Sequence, residues 1–193
     1  MRVLVLFAHP VETSFQAALH AKVVTTLRAA GHDVDDLDLY AEDFDPRLTR
    51  AERLAYHDIP ANRAAVDPYV GRVLAAEALV LVYPVWNFGY PAILKGFFDR
   101  VFLPGVSFKM VDGRVQTQLR NIRKMAAVTT YGGSRLRAFL VGDPPRKLVM
   151  RVLRAVTGLA VPVRYLAHYD MNRSTPESRA AFLAKVEQEM RTF

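Results

Sequence analysis

Short apolar runs alternate with amphipathic segments along the whole chain. The runs at 2–8, 33–40, 78–83, 124–130 and 161–169 have the length and the branched residues of β-strands. Between them, apolar residues recur at helical spacing, which predicts helices over 15–30, 48–58, 69–76, 92–102 and 145–157, and a last helix from residue 176. The runs at 2–8 and 78–83 are almost continuously apolar, as in strands buried on both faces.

This alternation predicts an α/β fold with a parallel sheet between two layers of helices, a three-layer sandwich. Five strands in 193 residues fit the flavodoxin-like strand order 2-1-3-4-5. We find no linker or repeat, so one domain over 1–193 is expected. In this order, ligands bind beyond the carboxyl ends of the strands near the reversal of strand order. Three loops lie there: 9–15, 84–91 and 129–134.

The amino-acid composition excludes several kinds of functional site. The chain has no cysteine, which excludes disulfides, thiolate nucleophiles and cysteine-ligated metal sites and favours a cytoplasmic location. No metal site is expected, because the five histidines have no metal-binding spacing. The net charge is +7, from 26 basic and 19 acidic residues. Such an excess indicates an anionic ligand, an anionic surface or a solvated cationic face; without a recognised module, nucleic acid is not expected.

The first loop connects an apolar strand to the start of a helix. Backbone N–H groups at a helix start attract an anion. The side chains of Thr13, Ser14 and His9 add hydrogen-bond donors, so a phosphate is the expected ligand. The alternative is that Ser14 only caps the helix. No glycine-rich dinucleotide motif or P-loop is present.

The second and third loops differ in composition. The second, 84–91, carries Trp86, Phe88 and Tyr90 between two prolines, whereas ordinary turns prefer small polar residues. Such a stiff apolar wall favours a flat heteroaromatic ring, the alternative being a hydrophobic lid or a partner contact. In the third loop, Gly132 and Gly133 permit close approach of a ligand or merely form a turn. A phosphate site beside a ring site matches a flavin nucleotide.

Three segments carry a resemblance to a known family. They are Ala8–Phe15, Asp38–Pro46 and the long run Pro84–Phe102. In these segments the chain resembles the flavodoxin-fold NAD(P)H:quinone oxidoreductases of the DT-diaphorase type. The resemblance implies one flavin-binding domain that binds FAD, with FMN left open by the short chain. It also implies a homodimer with flavin sites at the interface.

The resemblance assigns roles to the loops. The first loop would hold the phosphate-bearing chain, the second the isoalloxazine ring and the third its pyrimidine side. The implied flavin-binding residues are His9, Thr13, Ser14, Phe15, Pro84, Val85, Trp86, Asn87, Phe88, Thr129, Thr130, Tyr131, Gly132 and Gly133. Arg179 resembles an arginine near the adenosine end of FAD.

One segment departs from the family. The family's Tyr and His after the Thr-Thr loop have no counterpart within 135–145. Tyr131, Arg135 or Arg137 is therefore expected to stabilise the reduced flavin, with Tyr131 and Arg135 as the catalytic candidates. The bases Arg135, Arg137, Arg146 and Lys147 are also candidates to attract the 2′-phosphate of NADPH.

The function implied is a flavin-dependent NAD(P)H dehydrogenase. Hydride passes from NADH or NADPH to flavin N5, and a quinone or a similar acceptor then takes two electrons. Two alternatives stay open. A regulatory flavoprotein subunit would contact a membrane transporter peripherally, through the basic helix 145–157. A flavodoxin-like electron carrier would lack a substrate site, but such carriers are typically acidic.

Overall fold

A five-stranded parallel sheet forms the centre of the molecule. The computed structural model describes residues 1–193. The seven strands are β1 (Arg2–Phe7), β2 (Asp33–Asp38), β3 (Ala78–Val85), β4 (Phe108–Val111), β5 (Arg114–Thr117), β6 (Lys124–Tyr131) and β7 (Val163–His168). The sheet has the order β2-β1-β3-β6-β7, while β4 and β5 form a separate hairpin. Since β6 and β7 are the fourth and fifth strands of the sheet, the predicted order 2-1-3-4-5 is confirmed.

Helices fill the connections. They are α1 (Phe15–Ala29), α2 (Arg50–Leu54), α3 (Asp67–Ala75), α4 (Ala92–Val101), α5 (Arg135–Leu140), α6 (Pro144–Lys147), α7 (Arg154–Thr157) and α8 (Pro176–Arg191). Two 3-10 turns lie at Ala61–Val66 and Met171–Arg173, and a π-helical segment, Leu148–Leu153, joins α6 to α7. No helix has both the length and the apolar character that a membrane crossing requires.

The core has two halves, one on each face of the sheet. Along β1, Val3, Val5 and Phe7 face one side and Leu4 and Leu6 face the other, because strand side chains alternate. The first half packs against α1 and α8, and the second against α3, α4 and the helical segment 144–157. These are the three layers that the sequence predicts.

Three segments differ from the sequence prediction. The helix expected at 48–58 covers only Arg50–Leu54, held by a capping box between Thr49 and Glu52. The hairpin β4–β5 was not predicted, although its Asp112-Gly113 turn, with both φ positive, is a typical hairpin signal. Helix α5 was not predicted either, because its apolar residues lie at the surface and give no buried stripe.

Helix α4 passes very close to the chain at Pro46. A Cβ added at Gly96 would collide with the carbonyl oxygen and the Cβ of Pro46. Pro46 follows Asp45, whose backbone oxygen accepts a hydrogen bond from Arg100 one turn further along α4. Glycine at 96 therefore lets α4 lie against the segment after β2.

We expect Gly96→Ala to lower the free energy of unfolding by about 1–3 kcal/mol, the usual penalty for overpacking. The check is urea denaturation beside a matched control, Gly71→Ala. Gly71 is also helical and has open space around its Cβ position, so alanine there should stabilise by about 0.5–1 kcal/mol. Equal stability changes in the two variants would contradict the close packing at Pro46.

Candidate functional site

The three loops of interest leave the same edge of the sheet. In the parallel register, Phe7 of β1 lies beside Val82 of β3, and Pro84 of β3 lies beside Thr130 of β6. The carboxyl ends of β1, β3 and β6 are thus aligned, and the loops that follow them, which we call loops 1, 2 and 3, are neighbours. This is the ligand-binding edge that the strand order predicts.

Loop 1 presents unused backbone donors at the start of α1. The Oγ of Ser14 accepts from the N–H of Ala17 at 3.1 Å, so Ser14 caps the helix. The N–H groups of Thr13, Phe15 and Gln16 have no acceptor within the chain. Capping and anion binding are therefore compatible, because the cap uses one donor and leaves others pointing outward.

Loop 2 is a tight turn with exposed aromatic rings. Trp86 and Gly89 exchange two backbone hydrogen bonds, of 3.3 and 2.9 Å. Between them, Asn87 and Phe88 have φ values of 48° and 54°. A left-handed conformation is costly for a bulky residue such as Phe, about 1–3 kcal/mol, and such strain clusters at functional sites. Although large and aromatic, the side chains of Trp86 and Phe88 are 42% and 39% exposed.

Direct contacts join the loops. The rings of His9 and Trp86 lie 5.8 Å apart between centroids, which connects loop 1 to loop 2. The Gln16 amide donates to the backbone oxygen of Val128 and accepts from the hydroxyl of Thr130, both at 3.0 Å, which connects α1 to β6. Gln16 was not predicted from the sequence. Its signal is a polar residue on the buried face of an otherwise apolar helix.

Loop 3 combines buried threonines with accessible glycines. Thr129 and Thr130 are both buried. Gly132 is exposed and Gly133 half-buried, and a Cβ at either position would find no atom closer than 3.5 Å. The backbone of this loop is therefore reachable from solvent, whereas its threonine side chains belong to the sheet.

Tyr131 lies on the face of the sheet that carries the second half of the core, to which its partner Tyr165 also belongs. Its hydroxyl donates to Asp143 at 2.7 Å and lies 2.6 Å from the hydroxyl of Tyr165. Tyr83 and Tyr90 lie nearby, their rings 5.0 Å apart. Burial raises the pKa of the Tyr131 hydroxyl well above its usual range, and Tyr165 adds to this shift. Tyr131 is therefore a neutral hydrogen-bond donor at physiological pH.

The three arginines singled out in the sequence are less buried than Tyr131. Arg135 and Arg137 are exposed on α5, which Ser134 caps by accepting from the N–H of Arg137 at 3.3 Å. Arg179 lies at the start of α8 and donates to the Oγ of Ser174 at 2.8 Å. Of the predicted catalytic pair, Tyr131 is thus enclosed in a hydrogen-bonded cluster and Arg135 faces solvent. Whether either acts on a flavin stays a prediction.

The family follows from the fold and from comparison with known proteins. A family model described as "Flavodoxin-like fold" matches residues 1–192. The chain therefore belongs to the flavodoxin-like fold family.

Three individual proteins are similar to the chain. NAD(P)H dehydrogenase [quinone] 1 of Rattus norvegicus is 29% identical over 147 residues, 68% of this chain and 54% of the rat protein. An uncharacterized NAD(P)H oxidoreductase of Haemophilus influenzae is 33% identical over 137 residues, 69% of this chain and 66% of that protein. The solved NAD(P)H:quinone oxidoreductase from Methanothermobacter marburgensis aligns with a TM-score of 0.85 and 26% identity, covering 99% of this chain and 98% of the other.

These similarities confirm the resemblance drawn from the sequence segments. The matched part spans about half to two thirds of the two curated relatives, whereas the archaeal structure matches nearly end to end.

We expect Tyr131→Phe to lower the free energy of unfolding by about 1–3 kcal/mol. The substitution removes one hydroxyl and leaves Asp143 and Tyr165 short of a buried partner. Chemical denaturation measures the change, with Tyr40→Phe as the matched control, because Tyr40 is 37% exposed and its hydroxyl has no partner. A loss no larger than that of the control would mean that the cluster does not stabilise the fold.

Proposed function

We propose that the protein is a flavin-dependent NAD(P)H dehydrogenase that reduces a quinone or a similar two-electron acceptor. The observation that carries the proposal is the juxtaposition of loops 1 and 2. Loop 1 has free backbone donors at Thr13, Phe15 and Gln16, and loop 2, which it meets through the His9–Trp86 ring contact, exposes the rings of Trp86 and Phe88. The names of the rat, Haemophilus and archaeal proteins support the same reaction class.

The residues present fit a flavin nucleotide. A phosphate requires several N–H donors, which loop 1 supplies together with the positive end of the α1 dipole. A flat ring requires an apolar wall with backbone polar groups, which loop 2 supplies. The glycine backbone of loop 3 offers further donors on the adjacent strand end.

When bound, the flavin would supply the redox chemistry, accepting hydride from NAD(P)H at N5 and passing two electrons to the acceptor. The chain's part is to bind and to orient. The strained turn at Asn87 and Phe88 fixes the aromatic wall, and the His9–Trp86 contact fixes its distance from loop 1. We further propose Arg135, which is exposed beside loop 3, as the charge that stabilises an anionic reduced ring.

We propose FAD as the flavin, with FMN as the alternative. The sequence of loop 1 resembles the phosphate loop of an FAD-binding family. Arg179, half-buried at the start of α8, is the candidate contact for the adenosine half, because α8 packs on the same face of the sheet as α1. FMN lacks that half and would leave Arg179 without a ligand.

We also propose a homodimer in the cytoplasm. Residues 102–108 carry two half-buried phenylalanines, Phe102 and Phe108. Both line an apolar cavity of about 280 Å³ together with Tyr90, Phe98 and Leu148. A second copy would cover this cavity. Sedimentation equilibrium should then give twice the chain mass of 21.7 kDa, and a monomer at micromolar concentration would contradict the dimer.

Oxidation of NAD(P)H by the purified protein alone distinguishes an enzyme from a regulatory subunit or an electron carrier. A regulatory subunit would need its transporter for any effect, and an electron carrier would not oxidise NAD(P)H at a useful rate. The net charge of +7 also disfavours a carrier that docks on basic partners.

We expect the purified protein to bind one flavin and to lose its yellow absorbance when NADH or NADPH is added without air. Mass spectrometry of the released flavin distinguishes FAD from FMN. Trp86→Ala should weaken flavin binding about tenfold, since stacking on an aromatic ring contributes about 1–3 kcal/mol. Leu54→Ala is the control, because Leu54 is an exposed apolar residue on α2, away from the three loops, and this variant should bind flavin normally. Failure to bind either flavin would refute the proposed function.

A further inference from the structure

A basic concavity lies beside loop 3, and apart from Arg135 its lining residues have no role in the function proposed so far. Its volume is about 350 Å³. It is formed between α5 and α6 and the end of β7, and the residues lining it are Arg135, Phe139, Gly142, Asp143, Arg146, Lys147 and Tyr169. We call it the α5–α6 pocket.

The charges in the α5–α6 pocket are strongly unbalanced. Arg135, Arg146 and Lys147 contribute three positive charges, and Asp143 is the only acid. None of the three bases has a carboxylate within 4.0 Å, although ion pairs of that length form at twelve other places in the chain. Asp143 instead accepts a hydrogen bond from Tyr131 at 2.7 Å. Two net positive charges therefore face one small volume.

Local contacts give two of these cations a defined position. Gly142 has a φ of 83°, and a Cβ there would lie 3.2 Å from the ammonium of Lys147. The glycine therefore leaves the space that the ammonium occupies. The guanidinium of Arg146 lies over the ring of Tyr165, 5.5 Å from its centroid, so that side chain too has a defined direction.

The pocket is adjacent to the proposed ring site. The ring of Tyr169 packs on that of Tyr131, 4.6 Å between centroids, and the N–H of Asp170 donates to the backbone oxygen of Gly133 at 2.8 Å. One wall is Phe139, whose ring is 75% exposed and offers a flat apolar face. Cations beside a flat aromatic face match the phosphorylated adenosine end of a dinucleotide, and the ring site lies nearby for its nicotinamide end.

We propose that the α5–α6 pocket binds the 2′-phosphate of NADPH and makes the protein prefer NADPH to NADH. A phosphate monoester carries a charge of about −1.5 to −2 at neutral pH, which matches the net charge of the pocket. NADH has a hydroxyl at this position and would gain nothing from Arg146 and Lys147. The assignment to NADPH rests on the proposed function, whereas the binding of a nucleotide 2′-phosphate can be measured without it.

The kinetic test compares the two nicotinamide substrates. We expect the ratio of kcat/KM for NADPH to kcat/KM for NADH to exceed ten in the unmodified protein. Arg146→Gln and Lys147→Gln should each lower that ratio by about tenfold, the usual loss for a charged hydrogen bond. Arg151→Gln is the control, because Arg151 is an exposed base on the same helical segment outside the pocket. An equal preference for NADH and NADPH would overturn the proposal.

A second measurement does not need flavin or turnover. Isothermal titration calorimetry with 2′,5′-ADP and with 5′-AMP tests the pocket on the purified protein. We expect 2′,5′-ADP to bind at least about tenfold tighter, and Arg146→Gln to abolish the difference. Equal affinity for the two nucleotides would refute the pocket. Binding of inorganic phosphate as tight as that of 2′,5′-ADP would overturn its assignment to a nucleotide.

The two proposals fail in different ways. Flavin uptake and NADH oxidation without a preference for 2′-phosphates would refute the pocket and leave the proposed function intact. Preference for 2′,5′-ADP in a protein that binds no flavin would support the pocket and refute the proposed function.

Discussion

The site depends on the parallel register of three buried strands. Main-chain hydrogen bonds align β1, β3 and β6 so that they end side by side, with Phe7 near Val82 and Pro84 near Thr130. Because these strands are buried on both faces, a slip in register would move apolar side chains to the wrong half of the core. The energy that keeps the register is therefore spread over the whole core. The loops acquire their relative positions from it.

The loops that follow these aligned strands differ in the groups that they offer to a ligand. Loop 1 keeps backbone donors free because Ser14 satisfies only one N–H of the helix start. Loop 2 holds Phe88 in a conformation that costs energy and leaves two large rings in solvent. Neither feature stabilises the isolated chain. Both become favourable when a ligand with a phosphate and a flat ring fills the space between them, which is the physical basis of the flavin proposal.

The sequence predicted the sheet and the edge that carries the site because both follow from patterns that act locally. Continuous apolar runs identify the central strands, and Ser14 and Thr175 mark the helix starts that the structure has. The cluster around Tyr131 was not predictable, because Asp143 is distant from Tyr131 along the chain and meets it only through the turn after α5. The bases of the α5–α6 pocket were candidates for a 2′-phosphate from the sequence, but its walls were not predictable, since α5 exposes its apolar residues and lacks the periodicity of a buried helix. The lesson is that strand order locates a site, whereas side-chain direction at its rim depends on tertiary contacts.

The central claim is that loops 1 and 2 together form the binding site of one flavin nucleotide. A crystal structure of the flavin-loaded protein tests it most directly. We expect the phosphate within hydrogen-bond distance of the N–H groups of Thr13, Phe15 and Gln16, and the ring against the turn from Trp86 to Gly89. A flavin bound elsewhere on the molecule, with these donors and rings still facing solvent, would contradict it.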